Sequence, residues 1–321
     1  MRRLLAAAVL LCLFDFAAAQ PYPVRSIRLI VATEPGGQSD ALARAIAPEM
    51  SKVLGQSVVA ENRGGAGGTV GATAVSQAAP DGYTLLVGGG NSLVNAPLLN
   101  GSAGYDPLRQ FAPIGGIARV PYAIAVAPHI PARDLTELLD LAKARPGALT
   151  YGSGGIGSTS HVILSVIEAR TGAKFLNVPY RNAGAAVQEL LGGRIDVVGS
   201  ELSRLLPHGR SGAMRVIATT GNRRALTASA IATVAEQRLP GFDIDAWFAL
   251  LAPAGTPDAI VAQLSRALAT ALRTPEVMQM YEAREYETLA PGPEALRSLI
   301  ATETRDMRTL MESTGLVAVP R

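Results

Sequence analysis

Three loops of this chain combine glycine with hydroxyl, amide and acidic side chains at spacings that could do chemistry. The first reads Thr33-Glu34-Pro35-Gly36-Gly37-Gln38-Ser39-Asp40. The second reads Gly88-Gly89-Gly90-Asn91-Ser92, and the third Gly152-Ser153-Gly154-Gly155-Ile156-Gly157-Ser158-Thr159-Ser160-His161. Each follows a short apolar run, and two open a run with helical spacing. Backbone N–H groups at a helix start have no acceptor within the helix, and they lie at the positive end of its dipole. Such a turn can hold an anion without a side-chain cation. Glycine lets a ligand approach the backbone closely. Glycine-rich strand-to-helix turns are also ordinary connections, so one loop alone decides little. Three of them at strand ends point to a site for a small anion.

Other chemistries are weaker. Gly152-x-Gly154-x-x-Gly157 matches the dinucleotide fingerprint, but the following strand should then end in an acid for the ribose. It offers Asn177 and Pro179 instead, and no cofactor is expected. A serine hydrolase needs Ser beside His and an acid. Ser158, Ser160 and His161 are neighbours in sequence, yet on a helix start they do not face one another, and no G-x-S-x-G elbow occurs. A periplasmic hydrolase using Ser158 and His161 stays as an alternative. Asp40 and Ser39 most simply cap a helix. With one Cys and three His in the chain, disulfide scaffolds and cysteine zinc sites are excluded and no metal is expected.

The elements that must position these loops alternate. Strand candidates lie at 27–32, 57–60, 84–87, 120–126, 149–151, 175–178, 195–198, 215–218 and 244–251. Helix candidates lie at 39–54, 70–79, 134–144, 158–171, 183–191, 257–272 and 293–313. In the helix at 39–54, Leu42, Ile46, Met50 and Val53 share one face and Gly55 stops it. Alternation of this kind implies a mainly parallel α/β sheet covered by helices on both faces. In open α/β sheets ligands sit beyond the carboxyl ends of the strands, where these loops are.

A length of 321 residues suggests about two domains. Residues 1–19 read as a secretory signal: Arg2 and Arg3, an apolar run at 4–13 too short to span a bilayer, and Ala17-Ala18-Ala19 before Gln20. Cys12 falls within this segment, so the exported chain is free of thiols. Removing Arg2, Arg3 and Asp15 takes the formal charge from +3 to +2. So small a charge, without a Lys/Arg cluster, argues against a nucleic-acid partner. An aromatic content of 5% argues against a sugar- or base-stacking pocket.

Several blocks resemble the tripartite tricarboxylate transporter substrate-binding receptors, the Bug or TctC family. They are the Pro-Gly-Gly loop with Asp40; Glu61-Asn62-Arg63-Gly64-Gly65-Ala66-Gly67-Gly68; Ala79-Pro80-Asp81-Gly82-Tyr83; and Tyr105-Asp106-Pro107. Further blocks are Tyr151-Gly152-Ser153, Val178-Pro179-Tyr180-Arg181, Leu190-Leu191-Gly192-Gly193-Arg194-Ile195-Asp196, Leu206-Pro207-His208 and the run WFALLAPAGTP from Trp247. The resemblance spans essentially all the chain after the signal. It implies a two-domain periplasmic binding protein of type II, with two mainly parallel doubly wound sheets joined by a two-segment hinge. Residues 20–122 with 243–321 would form one domain and 123–242 the other. It further implies a small carboxylate ligand in the cleft, hinge closure, and delivery to a membrane permease by a monomer; a membrane signalling partner is the alternative to the permease.

On that basis Pro35, Gly36, Gly37, Gln38, Asp40, Asn91 and Ser92 are expected on one cleft wall. Ser153, Gly154, Ser158, Thr159, His161, Tyr180, Ser200 and Glu201 are expected on the other. Backbone donors would fix the carboxylate, and hydroxyls would act through water. The chain departs from the family pattern at Leu93, Asn182, Ser200 and Glu201. Ser200 stands where an Asp often reads the far end of the ligand, so Ser200 and Glu201 would choose that end. Glu34 is an unusual acid beside an anion site and is read as facing solvent.

Overall fold

The computed structural model describes residues 22–100, 103–289 and 292–313, so the signal segment with Cys12 lies outside the described residues. The chain opens with β1 (Ile27–Val31), α1 (Gln38–Leu54), β2 (Val58–Asn62), a tight turn at Ala66–Gly68, α2 (Thr69–Ser76) and β3 (Thr84–Gly89). A π-helical turn at Asn91–Asn95 leads into α3 (Ala96–Asn100) and the long β4 (Phe111–Val120). Next come β5 (Tyr122–Val126), α4 (Leu135–Ala144), β6 (Thr150–Ser153), α5 (Thr159–Thr171), β7 (Leu176–Pro179), α6 (Ala183–Leu191), β8 (Val197–Glu201), α7 (Leu202–Arg210), β9 (Arg215–Thr219) and α8 (Val234–Gln237). The chain closes with β10 (Ala246–Pro253), α9 (Asp258–Ala271), α10 (Pro275–Arg284), β11 (Glu287–Thr288) and α11 (Pro293–Ser313).

Two sheets result. One has the order β11-β4-β10-β3-β1-β2 and the other β7-β6-β8-β5-β9. The strands next to the glycine loops are apolar on both faces: Leu29, Ile30, Val31, Leu85, Leu86 and Val87 are fully buried. Helices cover them. In the first sheet α1 lies on β1 and β2, α2 on β3, and α9 and α11 on β4. In the second, α5 and α6 cover β8 and α7 covers β9. Burial of this kind on both sides is what a parallel α/β core requires.

The sheets are mixed rather than mainly parallel. β1 pairs in parallel with β2 and β3, and β6 with β7 and β8. β10 runs antiparallel to β3 and β4, β11 to β4, and β5 to β8 and β9. The reason is connectivity. The chain leaves the first sheet at β4 and enters the second at β5 across Pro121 alone, and it returns from β9 to β10 through residues 220–245. Each return strand is inserted against the direction of its neighbours. β4 itself was hidden in the sequence by Pro113, Gly115 and Gly116. The pairing with β10 absorbs them with register shifts between Phe248 and Ala249 and between Leu250 and Leu251. α7 was hidden by the Pro207 inside it and by following β8 without a loop. The strand expected at 244–251 is found two residues later, as β10.

Candidate functional site

A cavity of about 440 Å³ opens between the carboxyl ends of the two sheets. Six helical segments begin at residues that line it: α1 at Gly37 and Gln38, α2 after Gly68, the π-turn at Asn91, α5 after Ser158, α6 after Asn182, and α7 after Glu201. The starts of α1, α2, α7 and the π-turn have no side-chain cap. The dipole ends of these segments therefore face one space, an arrangement that favours an anion, although the first N–H of α7 is already bonded to the Pro121 carbonyl at 2.9 Å.

The first wall is built by the loop after β1. Gly36 sits at φ +82°, in the left-handed region that glycine enters without steric cost. Its N–H donates to Asp40 Oδ2 at 2.9 Å, and Arg44 Nε donates to Asp40 Oδ1 at 2.8 Å. Asp40 thus braces the loop from within the helix. Thr33 Oγ1 and Ser39 Oγ share a hydrogen bond of 2.6 Å. The turn before α2 packs against this loop and the π-turn. At Gly68, φ +95°, a Cβ would lie 2.9 Å from the Ala32 carbonyl oxygen and 2.9 Å from Ser92 Cβ.

The second wall is built by the loop after β6. Tyr151 Oη donates to the Ser160 carbonyl at 3.1 Å, and the Gly154 N–H donates to Ser160 Oγ at 2.9 Å. Ser158 Oγ accepts the His161 N–H at 3.3 Å and so caps α5. His161 Nδ1 accepts the Gly157 N–H, and burial pulls the imidazole below its ordinary pKa, so the ring is neutral at pH 7. Ser158 and His161 are joined through a backbone cap, not through the ring, and no hydrolytic triad is assembled. Across the cleft Thr159 Oγ1 donates to Asn91 Oδ1 at 3.1 Å, tying the two walls together.

The third part is the end of β8. Ser200 Oγ donates to Glu201 Oε2 at 2.5 Å, Arg204 Nε donates to the same oxygen at 3.0 Å, and Arg204 Nη2 donates to Oε1 at 3.2 Å. Burial works to raise the Glu201 pKa. The hydrogen bonds and charge of Arg204, with the Ser200 hydroxyl, outweigh it and hold the carboxyl below its ordinary value. Glu34 is exposed at the rim, its carboxylate against the Gly64 backbone.

Of the expected residues, Gly36, Gly37, Gln38, Asn91, Gly154, Ser158, Tyr180 and Glu201 line the cavity. Ser92 and Thr159 line an adjoining chamber of about 20 Å³, with Thr33, Ser39 and Trp247; that is room for about one water molecule. Pro35, Asp40, Ser153, His161 and Ser200 reach neither lining. Asp40, His161 and Ser200 brace their loops, and Ser153 Oγ is buried without a hydrogen-bond partner. Sequence reasoning missed the turn at 65–68, Arg181, Asn182, Gly184, Arg204, Tyr122 and Phe248 as lining. The turn carried a signal, a run of glycines before a helix. Arg204 carried another, its i+3 spacing from Glu201. No metal-binding cluster of His, Cys, Asp and Glu occurs among the described residues.

This architecture can be set beside known proteins. The profile described as "Tripartite tricarboxylate transporter family receptor" matches residues 42–316. The chain belongs to this family. It is 34% identical to the protein BugT of Bordetella pertussis over 303 residues, 93% of this chain and 92% of that protein. It superposes on the periplasmic binding protein BugD with a TM-score of 0.85 and 31% identity, covering 92% of this chain and 99% of that one. It superposes on MatC from Rhodopseudomonas palustris with bound malate with a TM-score of 0.84 and 31% identity, covering 91% and 100%. The protein is thus a solute-binding receptor of the tripartite tricarboxylate type rather than an enzyme, and the hydrolase alternative finds no support. Its fold is that of the two-domain periplasmic binding proteins.

Proposed function

We propose that the protein captures a small organic acid in the periplasm and delivers it, as a monomer, to a membrane permease of the tripartite tricarboxylate type. The observation that carries this reading is the convergence of six helical starts on one cavity, four of them without a side-chain cap. One carboxylate is held by the backbone N–H groups of Gln38 and Ser39 at the start of α1 and of Asn91 and Ser92 in the π-turn, with Thr33, Ser39 and Thr159 acting through water in the adjoining chamber. The malate of the related MatC supports a carboxylate, and the periplasmic relatives support export; the small residues at 17–19 support cleavage near Ala19 and Gln20. Residues 20–122 with 243–321 and residues 123–242 act as two lobes that close on the ligand about the crossings at Pro121 and 220–245.

Thermal unfolding in the presence of a panel of small carboxylates and their amides tests this. A saturable rise with a carboxylate, absent with its amide, is expected; at a hundredfold excess over Kd it corresponds to about 2.7 kcal/mol. No shift with any carboxylate, together with ester turnover abolished by Ser158→Ala, overturns the reading.

A further inference from the structure

The end of β8 raises a question of sign. Glu201 is a carboxylate in the lining of a cleft otherwise built for anions, and it is 4% exposed. Left alone it would repel an acid and attract an ammonium group. It is not left alone. Both of its oxygens are occupied, one by Ser200 and Arg204 Nε and the other by Arg204 Nη2. The pair uses one edge of the guanidinium fork, and the side chain has no further acceptor among the described residues. Nη1 remains free.

Nη1 points to a telling place. A Cβ on Gly184 would lie 3.2 Å from it and 3.3 Å from Cζ. Gly184 is in the first turn of α6 and also lines the cavity. A glycine there leaves room for the guanidinium to rest against the start of a nine-residue helix. Asn182 caps the Ala185 N–H of that helix at 2.9 Å, which leaves the earlier N–H groups uncommitted. A cation against the positive end of a helix is an unfavourable pairing. The buried Glu201 enforces it, and an anion in the cleft would satisfy both partners. From the opposite wall Gln38 brings a buried amide nitrogen with no partner, while its Oε1 lies 3.5 Å from Tyr122 Oη.

We propose that Arg204 and the first turn of α6 form a second anion subsite, so that the ligand is a dicarboxylate and Arg204 is the residue that selects it. This deepens the receptor reading and rests on it. Glu201 and Ser200 act as positioning residues: Glu201 holds the Nε and Nη2 edge of the guanidinium so that Nη1 is left beside Gly184, and Ser200 helps to keep the carboxylate engaged. An amino-acid zwitterion therefore finds no free carboxylate for its ammonium group here. The remaining acid of the lining, Glu34, is exposed at the rim.

The test is calorimetry with two matched pairs, malate against 3-hydroxybutyrate and adipate against hexanoate, with aspartate as the zwitterion. The full exported chain should bind the better dicarboxylate at least about tenfold more tightly than its monocarboxylate partner and than aspartate. The paired change Glu201→Gln with Arg204→Gln avoids stranding a buried charge, and should lower dicarboxylate affinity to the monocarboxylate level. Circular dichroism and melting of the variant check that it is folded, and the wild-type ratios test the proposal without any variant. Monocarboxylate or aspartate binding as tight as dicarboxylate binding overturns the proposal and leaves the receptor reading standing. So does a folded variant that keeps the full dicarboxylate preference. Absence of binding by every acid overturns both.

Discussion

The glycine runs at 36–37 and 154–155 fall in the lining of the cavity, and the run at 88–90 in that of the adjoining chamber. Asp40, His161 and Ser200 have the chemistry of contacts, yet each spends its polar atoms inside its own loop. A one-dimensional sequence shows a functional group but not whether a neighbour has already used it. The turn at 65–68 shows the opposite failure: its function lies in having no side chains. Gly68 is the sharpest case, since its φ of +95° and the Ala32 carbonyl 2.9 Å from an added Cβ penalise any substitution. Gly68→Ala should cost about 2 kcal/mol by urea unfolding. It should also weaken carboxylate binding, because the Ala32 carbonyl and the Ser92 side chain that it pushes aside adjoin the donor loops. An unchanged Kd in a destabilised Gly68→Ala protein would assign the turn to stability alone.

At the scale of elements, most strands and seven helices were readable from spacing, because 3.6-residue and near-continuous apolar patterns are local, while α3, α7, α8 and α10 were not. Strand direction was not. β5 and β10 look like any other buried strand, and their antiparallel insertion follows from where the chain crosses between sheets, a long-range property. The crossings are fastened by Asp245, whose Oδ1 accepts the Tyr122 N–H at 3.0 Å from one crossing and the Thr220 hydroxyl at 2.9 Å from the other. Its side chain is 6% exposed, with Arg119 Nη1 at 3.9 Å and Asp243 nearby. Burial pushes the Asp245 carboxyl up to about 6, against the Tyr122 and Thr220 hydrogen bonds and the Arg119 charge, with Asp243 adding to the rise. The folded form therefore holds this proton after the unfolded chain has released it. Stability from this group falls as pH rises from about 4 to about 6 and is constant above, a loss of at most about 3 kcal/mol. Asp245→Asn removes the titration and keeps an acceptor. Denaturation series at pH 4 and pH 7 should show the wild type losing up to about 3 kcal/mol relative to the variant. Parallel pH profiles would mean that Asp245 titrates as an ordinary exposed carboxylate.

For the whole molecule, the decisive feature is that neither sheet completes the cavity. Direct contacts between the cleft walls include small polar ones and ones made by glycine. Thr159 Oγ1 bonds Asn91 Oδ1 at 3.1 Å. Gly67 faces the Ile156 carbonyl, and Gly157 faces Ala96 and Leu99. Contacts of this kind leave the closed arrangement sensitive to what lies in the cleft, as a population shift requires. The Thr159–Asn91 bond is made only when the walls meet, so it contributes to closure and not to the fold of either half. Thr159→Val keeps the shape, and Asn91 Oδ1 retains Asn95 Nδ2 at 3.4 Å as a partner. The loss should be about 1 kcal/mol of closed-state stability, seen as a roughly fivefold weaker Kd because ligand must supply the missing closure energy. Small-angle scattering should then show the ligand-free variant more expanded than the wild type, and both equally compact at saturation. If Kd and the ligand-free radius of gyration are both unchanged, the bond is a bystander and closure is governed by the ligand alone.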